Sequence, residues 1–271
     1  MTEALSTLQV CRRNWLHAVV GLVLCAGARA RAQEAKVLRV GFIANYEPFS
    51  FVGKDGRLTG FDVEVVGALL ASLGMTLQVQ VGRFEQLREQ IKAGELDLLG
   101  NQLLQLPENR KVLDFVRPYT SIQLSCIQHE DDERDFLSLD DFVGKRLGVL
   151  RHSGMEEQAR GALGPAVRAF DRTEQAMEAL SQKKIDAVLE ENLIADYLID
   201  RHGWPLKVGA PMTAPQKVGL GVAKGRKPLQ TLLSDGVGAL VNEAAFKHIS
   251  ERWFGYDVSK PRFSHVSAQS K

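Results

Sequence analysis

Tyr46 follows the apolar run Val37–Ile43, at the carboxyl end of an expected first strand, where α/β sheets bind ligands. An aromatic face there packs equally well against an aliphatic or a cationic group. Further along, Ser153-Gly154 is a turn with a hydroxyl, and it opens an expected helix at about Met155. Free backbone N–H groups at such a turn could receive an anion. Both features suit capture of a small molecule. Covalent or metal chemistry has no comparable support. The six histidines are scattered without metal-ligand spacing. No Gly-x-Ser-x-Gly elbow or phosphate loop occurs, so no cofactor is expected. His152 and Ser153 are chain neighbours, which does not make a base and nucleophile pair.

Three stretches together carry a resemblance: Tyr46-Glu-Pro-Phe49, then Gly60-Phe-Asp62, then Asp97 through Asp114-Phe115 to Pro118-Tyr119. In this order and spacing the chain, over roughly 37–256, resembles family 3 periplasmic solute-binding proteins, the amino-acid type that serves ABC transporters. The resemblance implies a two-lobed α/β periplasmic-binding fold (type II) with a ligand cleft between the lobes. It also implies a set of cleft residues. Tyr46 and Phe84 match the aromatic positions that sandwich a ligand side chain. Asn101 and Gln102 stand where the family has small residues that meet the ligand. Gln102 is bulky there and could supply a neutral amide contact. Ser153 matches the family's hydroxyl-bearing turn, and Glu191 the acid that binds a ligand ammonium.

Two positions depart from the family pattern. Counted without gaps, Asn109 falls on the arginine that holds the ligand α-carboxylate, and Leu106 on a threonine. Asn cannot replace the charge or the bidentate fork of a guanidinium. Arg110 is adjacent, but one step along a helix turns a side chain by about 100°. Arg151 is a second possible substitute, from the other lobe. A standard α-amino acid is therefore not the expected ligand, and a cationic or neutral one fits the residues better. An alternative is an enzyme on the same scaffold, since the chain also resembles periplasmic cyclohexadienyl dehydratases, with Glu191 as the acid. That substrate carries carboxylates and would want the missing arginine. A binding-degenerate sensor or partner protein is a third reading.

The elements that must position these residues read as alternating strands and helices. Strands are expected at 37–43, 76–81, 96–99, 147–150, 185–189 and 206–209, and helices at 61–73, 84–93, 155–163 and 193–201. Thr173 is expected to cap a further helix, and 229–253 is one long amphipathic stretch. Two α/β units of similar size thus share the chain, with no Gly/Ser-rich linker between them. The expected domains are a signal segment (1–32), a first lobe (33–125), a second lobe (126–214), a return to the first lobe (215–260) and a tail (261–271). Hinges are expected near 125–128 and 212–217.

With 45% hydrophobic and 25% charged residues, the chain has an ordinary globular composition. A net charge of +1 argues against a nucleic-acid binder. Near the amino terminus, Arg12-Arg13 precede the apolar run Ala18–Ala26 and the small-x-small site Ala30-Arg-Ala32. That is the layout of an export signal, and the paired arginines resemble a twin-arginine signal. Its removal takes four arginines and one glutamate, leaving 30 basic against 32 acidic residues, a formal −2. Only Cys126 of the three cysteines then remains, expected as a buried apolar residue. The expected setting is a periplasmic monomer whose partners are a small-molecule ligand and an ABC-type permease.

Overall fold

The structure, a computed structural model, describes residues 36–260; the expected signal segment and tail lie outside them. The chain opens with β1 (Val37–Ile43), then the short strands β2 (Asn45–Tyr46), β3 (Ser50–Val52) and β4 (Leu58–Thr59). Helix α1 (Phe61–Ser72), β5 (Thr76–Gly82), α2 (Phe84–Lys92), β6 (Leu98–Leu104), the one-turn α3 (Pro107–Arg110), β7 (Leu113–Phe115) and β8 (Thr120–Ile122) follow. Next come β9 (Leu124–His129), β10 (Leu147–Leu150), α4 (Gly154–Leu163), β11 (Val167–Phe170), α5 (Thr173–Ser181), β12 (Ala187–Glu191) and α6 (Asn192–His202). The chain continues through β13 (Leu206–Pro211), β14 (Gln216–Ala223), α7 (Lys227–Leu240) and α8 (Ala244–Phe254).

Two sheets repeat one plan. The first runs β5-β1-β6-β14-β7, with β8 also on β14, and the second runs β11-β10-β12-β9-β13. In each, the second strand of that order, β1 or β10, lies between two parallel neighbours. An antiparallel strand then pairs with the third strand: β14 with β6, and β9 with β12. Strands β8 and β9 carry the chain from the first sheet to the second, and only Gln123 separates them. The crossing thus precedes residues 125–128, which lie inside β9. The return falls between Pro211 and Gln216.

The first lobe is held by α1, which starts where it does because of Gly60. That residue has φ 137°, and a Cβ there would lie 2.3 Å from the Phe49 carbonyl oxygen. Glycine alone fits both constraints. The Phe61 and Asp62 N–H groups then bond back to the Pro48 and Phe49 carbonyls at 2.9 Å. Val65, Val66, Leu69 and Leu70 recur at helical spacing and bury against Leu38, Val40 and Phe42 of β1, each worth about 1.5–3 kcal/mol. The terminal helices α7 and α8 add Leu233, Val237, Phe246 and Phe254 to the same core. The expected single stretch at 229–253 is thus two helices, broken at 241–243.

In the second lobe, one face of the sheet buries Leu147, Val149 and Cys126 with Phe136 and Phe142, whose rings stack at 4.7 Å. The other face buries Met177, Leu180 and Ile185. Cys126 is fully buried, and burial pushes its thiol up to about 12. Thr173 does not cap α5. It is the helix's first residue, and its hydroxyl donates to Glu190 instead.

Candidate functional site

The site is built from strand ends. Register pairs Val40 and Gly41 of β1 with Leu98 and Leu99 of β6, so Ile43 and Asn101 sit together at the carboxyl end of the first sheet. There the Asn101 Oδ1 accepts the Ile43 N–H at 2.9 Å, and its Nδ2 donates to Ser50 Oγ at 2.7 Å and Asp62 Oδ2 at 3.3 Å. Asn101 is 1% exposed and wholly engaged. It therefore builds the floor of the site rather than contacting a ligand through its amide.

Asp62 is the organiser beneath. Its Oδ1 accepts the Tyr119 hydroxyl at 2.6 Å, and its Oδ2 accepts the Gln102 N–H at 2.9 Å. Complete burial pushes its carboxyl up to about 7, although these donors pull the other way. The sequence showed Asp62 only as part of a motif. Its role as the anchor of Gln102 is visible from the structure.

Gln102, 3% exposed, carries its backbone on Asp62 while both polar atoms of its side-chain amide complete no hydrogen bond. The amide lies near the Tyr46 hydroxyl and favours that group's ionised form slightly. Tyr46 is half-buried in β2, its ring 4.8 Å from that of Phe49. Burial first, then the charges of Glu191, Asp62 and Glu190, raise its hydroxyl well above the ordinary tyrosine range. Tyr46 of the first lobe and Glu191 of the second are thus electrostatically coupled.

Glu191 ends β12 and stands at the residue before α6, its side chain making no capping bond to that helix. Its Oε2 is buried without a hydrogen-bond partner. Desolvation, with the adjacent Glu190 adding to it, pushes its carboxyl up to about 7. Glu190 is a carboxyl that sequence reasoning passed over. It accepts the Thr173 hydroxyl and the Glu191 N–H, the latter at 2.8 Å, and burial raises its pKa as well. Side by side, the two acids make this strand end electronegative.

The remaining predicted residues are committed elsewhere. The Asn109 Nδ2 donates to the Leu104 carbonyl at 3.0 Å, and the residue is 8% exposed. Leu106 is 39% exposed. Arg110 turns to Gln105, donating to its carbonyl at 3.0 Å and its Oε1 at 2.5 Å. Arg151 pairs with Asp171 at 2.6 Å on an exposed surface. Phe84 is half-buried at the start of α2, against the cluster of Leu87, Ile91, Leu99 and Leu113. The Ser153 Oγ caps α4, accepting the Glu156 N–H at 3.1 Å and donating to the Leu150 carbonyl at 2.6 Å.

This architecture, two similar sheets joined by crossing strands, is matched by known proteins. The family model for bacterial extracellular solute-binding proteins, family 3, matches residues 38–256. The chain belongs to that family. It is 29% identical to the L-cystine-binding protein of Escherichia coli over 92% of this chain and 97% of that one. A probable amino-acid ABC transporter-binding protein of Haemophilus influenzae is 27% identical, over 85% of this chain and 89% of that one. Among solved structures, the L-cystine solute receptor of Neisseria gonorrhoeae in its unliganded open conformation superposes with a TM-score of 0.73. It is 27% identical, covering 84% of this chain and 96% of that one. The fold of this family 3 protein is thus the two-lobed one that its motifs implied.

Proposed function

We propose that this family 3 protein works outside the cytoplasm, capturing a small cationic or neutral polar solute between its lobes for an ABC-type permease. The observation that carries the reading is the pair of unpartnered buried groups at the cleft, the Gln102 amide and the Glu191 Oε2. A buried polar group without a partner costs about 1–3 kcal/mol, and a ligand that supplies the partner recovers it. Glu191 suits an ammonium or guanidinium, and the Tyr46 face suits either group by a cation–π contact. The amino-acid relatives point to an amine-bearing solute. Asn109, tied to the Leu104 carbonyl, argues against the bidentate carboxylate clamp of a standard α-amino acid.

A thermal-shift screen of amines, guanidines and amino acids tests this reading. A cationic solute should stabilise the protein, and Glu191→Ala should lose at least tenfold in affinity for it. Affinity kept within a few-fold would place the ligand elsewhere.

One observation favours a second reading, a periplasmic enzyme. A desolvated carboxyl near 7, such as Glu191, is poised to donate a proton at neutral pH. Prephenate turnover by the purified protein, absent in Glu191→Gln, would establish it.

A further inference from the structure

We infer that the exported protein self-associates through β5, two copies joining their first sheets edge to edge about a two-fold axis at Val79. The inference does not depend on which solute the cleft takes, and it departs from the monomer that the sequence suggests.

β5 (Thr76–Gly82) is an edge strand, pairing among the described residues only with β1. An unpaired edge is a template for another strand, and proteins usually blunt it with charge, proline, a bulge or short length. The other edges of the two main sheets follow that rule. β7 and β8 have three residues each. β11 has four, one of them Arg168. β13 carries Lys207, a register shift and a terminal Pro211. By contrast β5 has seven residues, Thr-Leu-Gln-Val-Gln-Val-Gly, with no charge, no proline and an unbroken register.

The backbone decides which groups face outward. The Thr76 N–H donates to the Lys36 carbonyl, and the Gly82 carbonyl accepts the Ala44 N–H. Even-numbered residues therefore turn their polar groups toward β1, and Leu77, Val79 and Val81 turn theirs away from the sheet. The side chains of these three share a face with Leu38, Val40 and Phe42, which lie opposite them on β1 and are buried. On β5 that apolar row comes into the open, with Val79 44% and Val81 37% exposed.

The strand is its own complement. Turned antiparallel about Val79, it sets Val79 opposite Val79, Leu77 opposite Val81, Gln78 opposite Gln80 and Thr76 opposite Gly82. Each valine or leucine meets another and each glutamine a glutamine, and such cross-strand pairs stabilise a sheet. The outward residues fall on the hydrogen-bonded positions, where each facing pair exchanges two bonds. The contact is isologous and closes on itself.

Charge does not oppose it. Of the acids that line the adjoining groove, Glu89 pairs with Lys92 at 2.5 Å, and Glu85 lies with Gly82. The axis sets the two Gly82 residues about 20 Å apart, beyond the roughly 8 Å over which exposed charges act at physiological salt. The strand that hands the chain to the second lobe, β8, lies on β14 at the other side of the sheet, so pairing at β5 leaves the crossing free. Strand pairing alone buries less than a standard interface of roughly 1,600 Å², so the association is expected to be weak and concentration-dependent.

The test is made on the exported protein. Residue 79 faces only its own copy, and a hydrogen-bonded antiparallel pair sets Cα atoms about 5.5 Å apart, within disulfide reach. Under oxidising conditions Val79→Cys should form a disulfide-linked dimer, and Gln80→Cys, which faces Gln78, should link far more slowly. Cys126 is fully buried and does not compete. In sedimentation the wild type should shift from monomer to dimer as its concentration rises. Val79→Lys, which sets two charges face to face on the axis, should stay monomeric with an unchanged circular dichroism spectrum. If Val79→Lys folds poorly, the cysteine pair decides. Val79→Cys linking no faster than Gln80→Cys, a wild type that is monomeric at every concentration, or a dimer that survives in folded Val79→Lys would overturn the inference.

Discussion

Tyr197 donates its hydroxyl to Glu47 Oε1 at 2.7 Å, joining α6 of the second lobe to the loop after β2 in the first. Arg201, one turn further along α6, pairs with the same oxygen and also bonds to the Tyr197 hydroxyl at 3.0 Å. Nearby, the Tyr197 and Trp253 rings lie 6.0 Å apart, and Tyr256 donates to Asp196 at 2.9 Å. Because Glu191 immediately precedes this helix, the contacts that hold α6 against the first lobe also bear on the position of the acid whose charge acts on Tyr46.

That link should bias the lobes toward closure. Glu47 and Arg201 are 38% and 40% exposed, so the ion pair is worth at most about 1 kcal/mol. Glu47→Ala should enlarge the unliganded protein in small-angle scattering and weaken ligand binding by roughly two- to fivefold. Unchanged scattering and affinity would show that the lobes hold their spacing without it.

Asp62 should make stability fall as pH rises. Its folded pKa, about 7 against an ordinary 3.8, means that the native state holds the proton more tightly than the unfolded chain. The stabilisation is fully present below the unfolded value, near 4, and is lost as pH rises through about 7. Glu191 contributes with the same sign. Urea unfolding should therefore give a lower stability at pH 8 than at pH 5. Asp62→Asn should flatten part of that dependence. It should also cost about 1–3 kcal/mol at pH 5, because the amide N–H2 replaces one carboxyl oxygen and so faces one of the two donors, the Tyr119 hydroxyl or the Gln102 N–H.

Ligand binding should depend on pH in the opposite sense. Glu191 must be ionised to hold a cation, so affinity should drop by up to about tenfold per pH unit below 7. Glu191→Gln should bind weakly and show a nearly flat profile between pH 6 and 8, measured with a ligand whose own charge is constant there.

Much of the scaffold was legible because its signals are local. The alternation of 76–81, the period of 61–73 and the Gly60-Phe-Asp62 motif all correspond to elements of the structure. The break at 241–243 was not legible, since apolar residues run through it on both sides. The site was harder to read, because a residue's identity does not say where its hydrogen bonds go. Asn101 and Asn109 are both amides at cleft positions, yet each is spent on its own chain. Gln102, of similar chemistry, is spent on none by its side chain. The Glu190–Thr173 and Glu156–His152 contacts join residues whose partnership depends on strand register and on a positive φ.

The most direct measurement is a calorimetric titration of the wild-type protein at pH 8 with agmatine and with L-arginine. The two share a guanidinium and differ in the α-carboxylate. If Glu191 holds the cation and Asn109, tied to the Leu104 carbonyl, gives no clamp for a carboxylate, agmatine binds at least tenfold more tightly than L-arginine, and Glu191→Ala abolishes that binding. L-Arginine, or L-cystine, binding tightly where agmatine does not would contradict the account, because the carboxylate would then be the group that the cleft holds.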